Sequence, residues 1–323
     1  MRNQKPFIGI DLGGTKIGAG LIDIQGHVLA SDYRKTHAKS GRDAVIARIV
    51  EAAHAVMEQA SIDADGVSGI GIGAPGPLDI PNGILTEPPN LPGWHNVPLK
   101  QIIEEALDIS TYLENDANAA AIGEYLYGAG KGTRHMIYVT VSTGIGGGMI
   151  LDGQIYHGTS GGAGEIGHMT ILPNGPHCGC GNRGCLEALA SGTGIAREGQ
   201  ELITRGAPTL IAKLAGQEPV SAKVVVNAMH QGDPYAQEIV MQALYYLGIG
   251  MANLANLFNP QMIVIGGGLS NLGDMMLDAV QRSIDYHAFP LAARQVRVTF
   301  AKLGSNVGII GAAGAAMMAQ HQA

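Results

Sequence analysis

The sequence has little charge, few cysteines and no excess of basic residues. Only 15% of its 323 residues are charged, and the formal net charge is −7 at pH 7. Such a chain lacks the basic surface with which proteins bind nucleic acid or anionic membranes, so neither is expected as a partner. An anionic ligand must therefore be held locally, by backbone amides and a few cations.

Three cysteines cannot all pair within one chain, and no secretory leader precedes them, so a disulfide framework is not expected. The longest apolar run, residues 239–258, carries Gln242, Asn253 and Asn256, and its period is typical of a buried helix rather than of a membrane span. These absences predict a cytoplasmic protein without a membrane segment.

Hydrophobic residues make up 46% of the chain, and 48 residues are glycine. This composition predicts a folded, turn-rich protein, and the length exceeds that at which a single core stops growing. The clearest helical period covers residues 42–59, where Val45, Ile49 and Val56 share one face.

A strand meander predicted near the N-terminus recurs 128 positions later. Residues 137–151 align with residues 9–23, which places Thr143 on Thr15 and Gly146 on Gly18. A duplicated meander followed by alternating helices and strands predicts two similar α/β lobes with a ligand cleft between them. The expected lobes are residues 1–117 plus about 305–323, and residues 118–304, which include a cysteine-rich knuckle at 168–185.

Two glycine-rich turns occupy equivalent places in the repeat, Asp11-Leu12-Gly13-Gly14-Thr15-Lys16 and Ser142 to Gly148. Each joins two strands, whereas Walker A loops and dinucleotide fingerprints open a helix. Glycines let backbone N–H groups approach an anion, and either turn alone is also compatible with an ordinary hairpin. Together they predict a nucleotide clamp, with Gly267 as a weaker adenine contact. The predicted nucleotide-binding residues are Asp11, Gly13, Gly14, Thr15, Lys16, Ser142, Thr143, Gly144, Gly146, Gly147 and Gly267.

Asp116 follows a predicted strand and begins an alanine-rich helix. Aspartate is favoured at such a position as a helix cap, which is the simpler interpretation. Beside two phosphate-binding turns, its carboxylate also suits a general base that accepts the proton of an alcohol during phosphoryl transfer. Asp11 is then a candidate ligand for Mg²⁺, directly or through water.

All three cysteines lie in one knuckle, with the spacing Cys178-x-Cys180-x₄-Cys185. His168, ten residues before Cys178, completes four ligands for a closed tetrahedral Zn²⁺ site, although His177 competes for that place. Reduced cysteines without a metal are the alternative. A complete ligand shell leaves no position for water, so the predicted zinc is structural.

These motifs resemble the bacterial ROK family of sugar kinases and sugar-responsive repressors over nearly the whole chain, and its glucokinases most. The matching stretches are Asp11 to Lys16, Glu114-Asn115-Asp116-Ala117-Asn118, Ser142 to Gly148, Gly164-Glu165-Ile166-Gly167-His168 and Cys178 to Glu187. The resemblance implies an actin-like (ribonuclease H-like), duplicated, two-lobed ATPase fold that closes over sugar and ATP, and it implies a homodimer.

The resemblance also implies residue roles. It makes Asp116 the base for the sugar 6-hydroxyl, and it leaves His177 without a role. The implied sugar-binding residues are Asn90, Asn115, Asp116, Glu165, His168 and Glu187. The implied zinc ligands are His168, Cys178, Cys180 and Cys185.

The function expected from the resemblance is ATP-dependent phosphorylation of glucose. A kinase for mannose, fructose, N-acetylmannosamine or N-acetylglucosamine is the alternative, since all would share the turns and Asp116. A sugar-binding repressor is not expected, because only six residues precede Phe7 where such proteins carry a helix-turn-helix domain. A structural actin-like ATPase has no use for the acidic and histidine side chains around the knuckle, so it is not expected either.

Overall fold

The computed structural model describes residues 5–322. Residues 1–4 and 323, which the expected lobe boundaries include, lie outside this part. The first stretch contains β1 (Phe7–Leu12), β2 (Lys16–Ile22), β3 (Val28–Lys35), α1 (Arg42–Gln59), β4 (Gly69–Ala74), β5 (Leu78–Asp79), β6 (Ile84–Leu85), α2 (Leu99–Leu107), β7 (Thr111–Asn115) and α3 (Asp116–Leu126).

The second stretch contains β8 (Met136–Val141), β9 (Ile145–Leu151), β10 (Gln154–Ile155), α4 (Leu186–Ala190), α5 (Gly192–Thr204), α6 (Leu210–Ala215), α7 (Ala222–His230), α8 (Pro234–Phe258), β11 (Met262–Gly266), α9 (Asp274–His287), α10 (Pro290–Gln295), β12 (Arg297–Phe300) and α11 (Val307–Gln322). No helix of the described chain is long and apolar enough to cross a membrane.

Two five-stranded sheets repeat one topology. The first has the order β3-β2-β1-β4-β7 and the second the order β10-β9-β8-β11-β12. In the first sheet β1, β4 and β7 run parallel, as β8, β11 and β12 do in the second. The matching order explains the repeat in the sequence, and it confirms the predicted duplication.

The chain forms two compact units. Unit 1 comprises Met1–Arg134, Gly148–Gly164 and Ala301–Ala323, and unit 2 comprises His135–Gly147 and Glu165–Phe300. The boundary expected near residue 117 falls at the start of α3, a helix that lies wholly in unit 1. The exact lobe limits given by the sequence stay a prediction.

Glycines allow α11 to lie directly on the sheet of unit 1. A Cβ atom added at Gly9 would lie 1.8 Å from the carbonyl oxygen of Ile309, and one at Gly71 would lie 1.8 Å from that of Ala312. Only glycine permits backbones to approach so closely. The opposite face of the sheet packs against α1, whose Val45, Ile49 and Val56 are fully buried as the helical period predicted.

Candidate active site

Unit 1 gathers polar residues at the carboxyl ends of its parallel strands. The strand register pairs Asp11 with Gly73, and Gly73 with Glu114. Neighbouring strands lie about 4.8 Å apart, so Asp11 and Glu114 are separated by about 10 Å across the sheet. Asp116 follows as the first residue of α3. The first glycine-rich turn and the proposed base therefore lie at one edge of the same sheet.

Hydrogen bonds hold the first glycine-rich turn in place. The N–H of Gly13 donates to the carbonyl of Lys16 at 3.0 Å, and the hydroxyl of Thr36 donates to the carbonyl of Gly13 at 2.6 Å. A Cβ atom on Gly14 would lie 2.8 Å from the Cβ of Asn90, so the loop that carries Asn90 touches the turn. The structure thus brings together a predicted nucleotide contact and a predicted sugar contact.

Asp11 in this turn is the candidate magnesium ligand, and its surroundings affect its ionisation. Burial raises the pKa of the Asp11 carboxyl, and the nearby Lys16 offsets part of that rise. The ammonium of Lys16 lies 3.7 Å from the centroid of the Tyr33 ring, a cation–π contact. A cation bound at Asp11 would oppose this rise, because an opposite charge favours the carboxylate form.

Asn115, rather than Asp116, caps α3. The side-chain oxygen of Asn115 accepts the N–H groups of Ala117 at 2.9 Å and Asn118 at 3.2 Å. Asp116 is exposed on the first helical turn, where its carboxylate accepts the N–H of Ala117 at 2.7 Å. The capping role that competed for Asp116 is therefore supplied by its neighbour.

The second glycine-rich turn lies in unit 2 and is shorter than the sequence suggested. Residues 142–144 form the turn, whereas Gly146 and Gly147 already lie in β9. The N–H of Gly192 donates to the carbonyl of Ser142 at 2.8 Å, and the hydroxyl of Thr193 donates to that of Thr143 at 2.8 Å. These bonds fix the turn against the start of α5.

Unit 2 contains a pocket of about 810 Å³ beside this turn. Ser142 and Thr143 line it, as does Gly268, the residue after the predicted Gly267. The opposite wall, which α7 forms, could not be recognised from the sequence. The lining residues from α7 include Lys223, Asn227 and His230, at helical spacing. Residues of these types at this spacing occur on any exposed helix face, so only the folded structure identifies them as part of the pocket wall.

The knuckle in unit 2 brings four potential metal ligands together. One ligand atom from each of His168, Cys178, Cys180 and Cys185 lies within 4.8 Å of the others. Zn–S bonds of about 2.3 Å and Zn–N bonds of about 2.0 Å at tetrahedral angles separate two sulfurs by about 3.8 Å, and sulfur from nitrogen by about 3.5 Å. The sulfurs of Cys180 and Cys185 are 3.7 Å apart, and Cys178 Sγ lies 3.6 Å from His168 Nδ1. The donor set fits zinc.

His177, the competing ligand, faces elsewhere. Its Nε2 contacts the guanidinium of Arg183, and the side chain is exposed. Within the thiol cluster, burial raises the pKa of Cys178 and raises that of Cys185 to about 12, whereas the backbone N–H of Asn182 lowers that of Cys180. Buried thiols that resist ionisation become thiolates when a metal cation is bound.

The predicted sugar-binding side chains of unit 2 surround the knuckle. His168 directs Nδ1 to the thiols, and its Nε2 lies 3.8 Å from Oε2 of Glu165. Glu187 has Oε1 3.8 Å from Cys178 Sγ, while its Oε2 accepts the N–H of Ile145 at 2.9 Å. Glu187 therefore joins the knuckle to the strand that leaves the second glycine-rich turn, a contact that the sequence did not reveal.

These features can be placed among known proteins. The sequence model that describes the ROK family matches residues 7–320 of this chain. The chain belongs to the ROK family. Membership and the duplicated sheets confirm the predicted α/β, actin-like, two-lobed fold.

Relatives in the family include enzymes and regulators. A glucokinase from Thermotoga maritima is 38% identical over 308 residues, which cover 95% of this chain and 96% of that protein. A crystal structure of a ROK family glucokinase from Streptomyces griseus in complex with glucose and AMPPNP is 35% identical, with a TM-score of 0.78 over 95% of this chain and 98% of that one. A xylose repressor from Caldicellulosiruptor bescii is 30% identical over 94% of this chain and 76% of its own length.

Proposed function

We propose that this ROK protein is an ATP-dependent hexokinase of the glucokinase type, which transfers the γ-phosphoryl group of ATP to the 6-hydroxyl of glucose. The observation that carries the proposal is the placement of Asp116 at the same sheet edge as the turn Asp11 to Lys16. Phosphoryl transfer to an alcohol needs this pair of features, a carboxylate that accepts the proton and a turn that holds the phosphates. Glucokinases that align with this chain over nearly their whole length also support the proposal.

In this proposal the pocket of unit 2, beside the second glycine-rich turn, holds ATP. The pocket volume of about 810 Å³ lies within the usual range for small-molecule sites. Ser142 and Thr143 supply hydroxyls, and Lys223 supplies a cation suited to an anionic ligand. The AMPPNP bound by the Streptomyces griseus glucokinase supports ATP as the donor. Asp11 would hold Mg²⁺, which supplies countercharge for the phosphates.

We assign structural zinc to His168, Cys178, Cys180 and Cys185, because their spacing matches a tetrahedral site. Zinc on Nδ1 of His168 would leave its Nε2 for a sugar hydroxyl, beside Glu165 and Glu187. The remaining sugar contacts in this assignment are Asn90 and Asn115 from unit 1. In this assignment the knuckle determines which sugar binds, and Asp116 acts as the base in phosphoryl transfer.

A substrate comparison tests the proposal. ADP release should be measured with purified protein, ATP and, in turn, glucose, mannose, fructose, N-acetylglucosamine and N-acetylmannosamine. Glucose should give the highest kcat/KM, because the ratio of these values measures specificity. A higher value for another sugar would move the assignment to that hexose. ATP turnover that is independent of sugar, or sugar binding without turnover, would contradict the kinase.

We further propose a homodimer. Unit 2 exposes an aromatic cluster in which Tyr286 is 84% exposed and Phe289 is 69% exposed, and the His287 ring lies 6.0 Å from that of Tyr245. Exposed apolar side chains of this kind occur at interfaces. Light scattering after gel filtration should give a dimer for the native chain and a monomer for Tyr286→Asp combined with Phe289→Asp. A native monomer, or an unchanged dimer in the variant, would exclude this interface.

A further inference from the structure

One hydrogen-bonded histidine–glutamate pair in unit 1 has no role in the site described so far. The Nε2 atom of His157 lies 2.7 Å from Oε2 of Glu114, whose side chain is only 6% exposed. Because a carboxylate only accepts hydrogen bonds, this ring nitrogen carries the proton. The contact with Glu114 raises the pKa of His157, although burial opposes the rise.

The other oxygen of Glu114 holds the chain on both sides of Asp116. Its Oε1 accepts the backbone N–H of Asn115 at 2.9 Å and the side-chain amide of Asn118 at 2.9 Å. Asp116 lies between these two residues in sequence. The carboxylate of Glu114 therefore fixes the start of α3 from which the proposed base projects.

His157 also begins the segment that leads to the proposed sugar ligand Glu165. The N–H of Ala163 donates to the carbonyl of His157 at 3.1 Å, which closes the segment into a loop. A Cβ atom on Gly161 would lie 3.7 Å from the carbonyl oxygen of Leu78, so the loop also touches β5. One imidazole thus connects this loop with the strand end before Asp116.

We propose that His157 is a positioning residue for phosphoryl transfer, which acts through Glu114 on Asp116. The proposal rests on the proposed kinase function. Removing His157 would leave the buried carboxylate of Glu114 without one of its hydrogen-bond donors, which is costly because water cannot replace that donor. The start of α3 would then shift and move Asp116. A displacement of a catalytic group by about 1 Å is enough to slow a reaction.

Three substitutions at one position test it. Glutamine places an amide N–H near the position of the imidazole Nε2, asparagine is too short, and alanine removes the donor. His157→Ala and His157→Asn should lower kcat/KM for glucose by about tenfold to hundredfold. His157→Gln should retain most of the native value. The KM for ATP should stay unchanged in all three, and melting temperatures should be measured alongside.

The outcomes separate positioning from stability. Native kcat and glucose KM in His157→Ala, even with a lower melting temperature, would assign His157 to stability alone and overturn the proposal. If His157→Ala does not fold, the other two variants decide, and equal losses in His157→Gln and His157→Asn would overturn it. A native protein that phosphorylates no sugar would instead contradict the proposed function, on which this inference rests.

Discussion

Replacing Asp116 with asparagine is expected to lower kcat by about 100-fold to 10,000-fold, the usual contribution of a general base. The amide is nearly the same size as the carboxylate, but it cannot accept the proton of the sugar hydroxyl. Its oxygen can still accept the N–H of Ala117, so α3 should begin at the same residue. Steady-state kinetics with glucose and ATP measure the effect.

Glucose binding should survive this change. The chain has a single tryptophan, Trp94, which is buried four residues after Asn90 in the loop that touches the first turn. Its fluorescence is therefore a suitable signal for a sugar titration without ATP. Asp43→Asn is a matched control, since Asp43 is likewise an exposed acid in the first turn of a helix. Near-native kcat in Asp116→Asn would refute the assignment of the base.

The second large effect is expected from Cys185→Ser, which should remove both zinc and activity. Cys185 is fully buried in the knuckle, and a serine hydroxyl is a poor replacement for a thiolate ligand. Without the metal, the position of the His168 ring is no longer fixed. Metal analysis should find no bound zinc, and kcat/KM for glucose should fall by at least about tenfold.

His177→Ala is the matched control for the knuckle. His177 lies beside Cys178 in sequence, but its side chain contacts Arg183 outside the ligand cluster. This variant should keep its zinc and its activity. If Cys185→Ser stays active without metal, the knuckle does not shape the sugar site, and if His177→Ala loses zinc, the ligand assignment is wrong.

The parts of the fold that depend on periodicity could be predicted from the sequence. Helix α1 begins and ends at Arg42 and Gln59, as its apolar period indicated. The repeat at 128 positions predicted two copies of one strand order, because the same turn chemistry recurs in both. The ends of β4, Gly69–Ala74, could not be predicted in this way, because a continuous apolar run has no period that marks them.

The parts of the site that depend on tertiary contacts could not be predicted. The five residues of α4 are too few for a helical period, although this helix carries Glu187. The α7 wall of the pocket, with Lys223 and Asn227, consists of ordinary surface residue types. His157 is a lone histidine in sequence, and only folding brings it to Glu114 across 43 positions.

Competing functions predict different products from ATP and glucose, so product analysis tests the central claim most directly. Purified protein should be incubated with ATP, Mg²⁺ and glucose, and the products identified by phosphorus NMR. A glucokinase forms glucose 6-phosphate and ADP in equal amounts, with the phosphorus coupled to the protons on carbon 6. Inorganic phosphate in place of a sugar phosphate, or phosphorylation at another hydroxyl, would contradict the account.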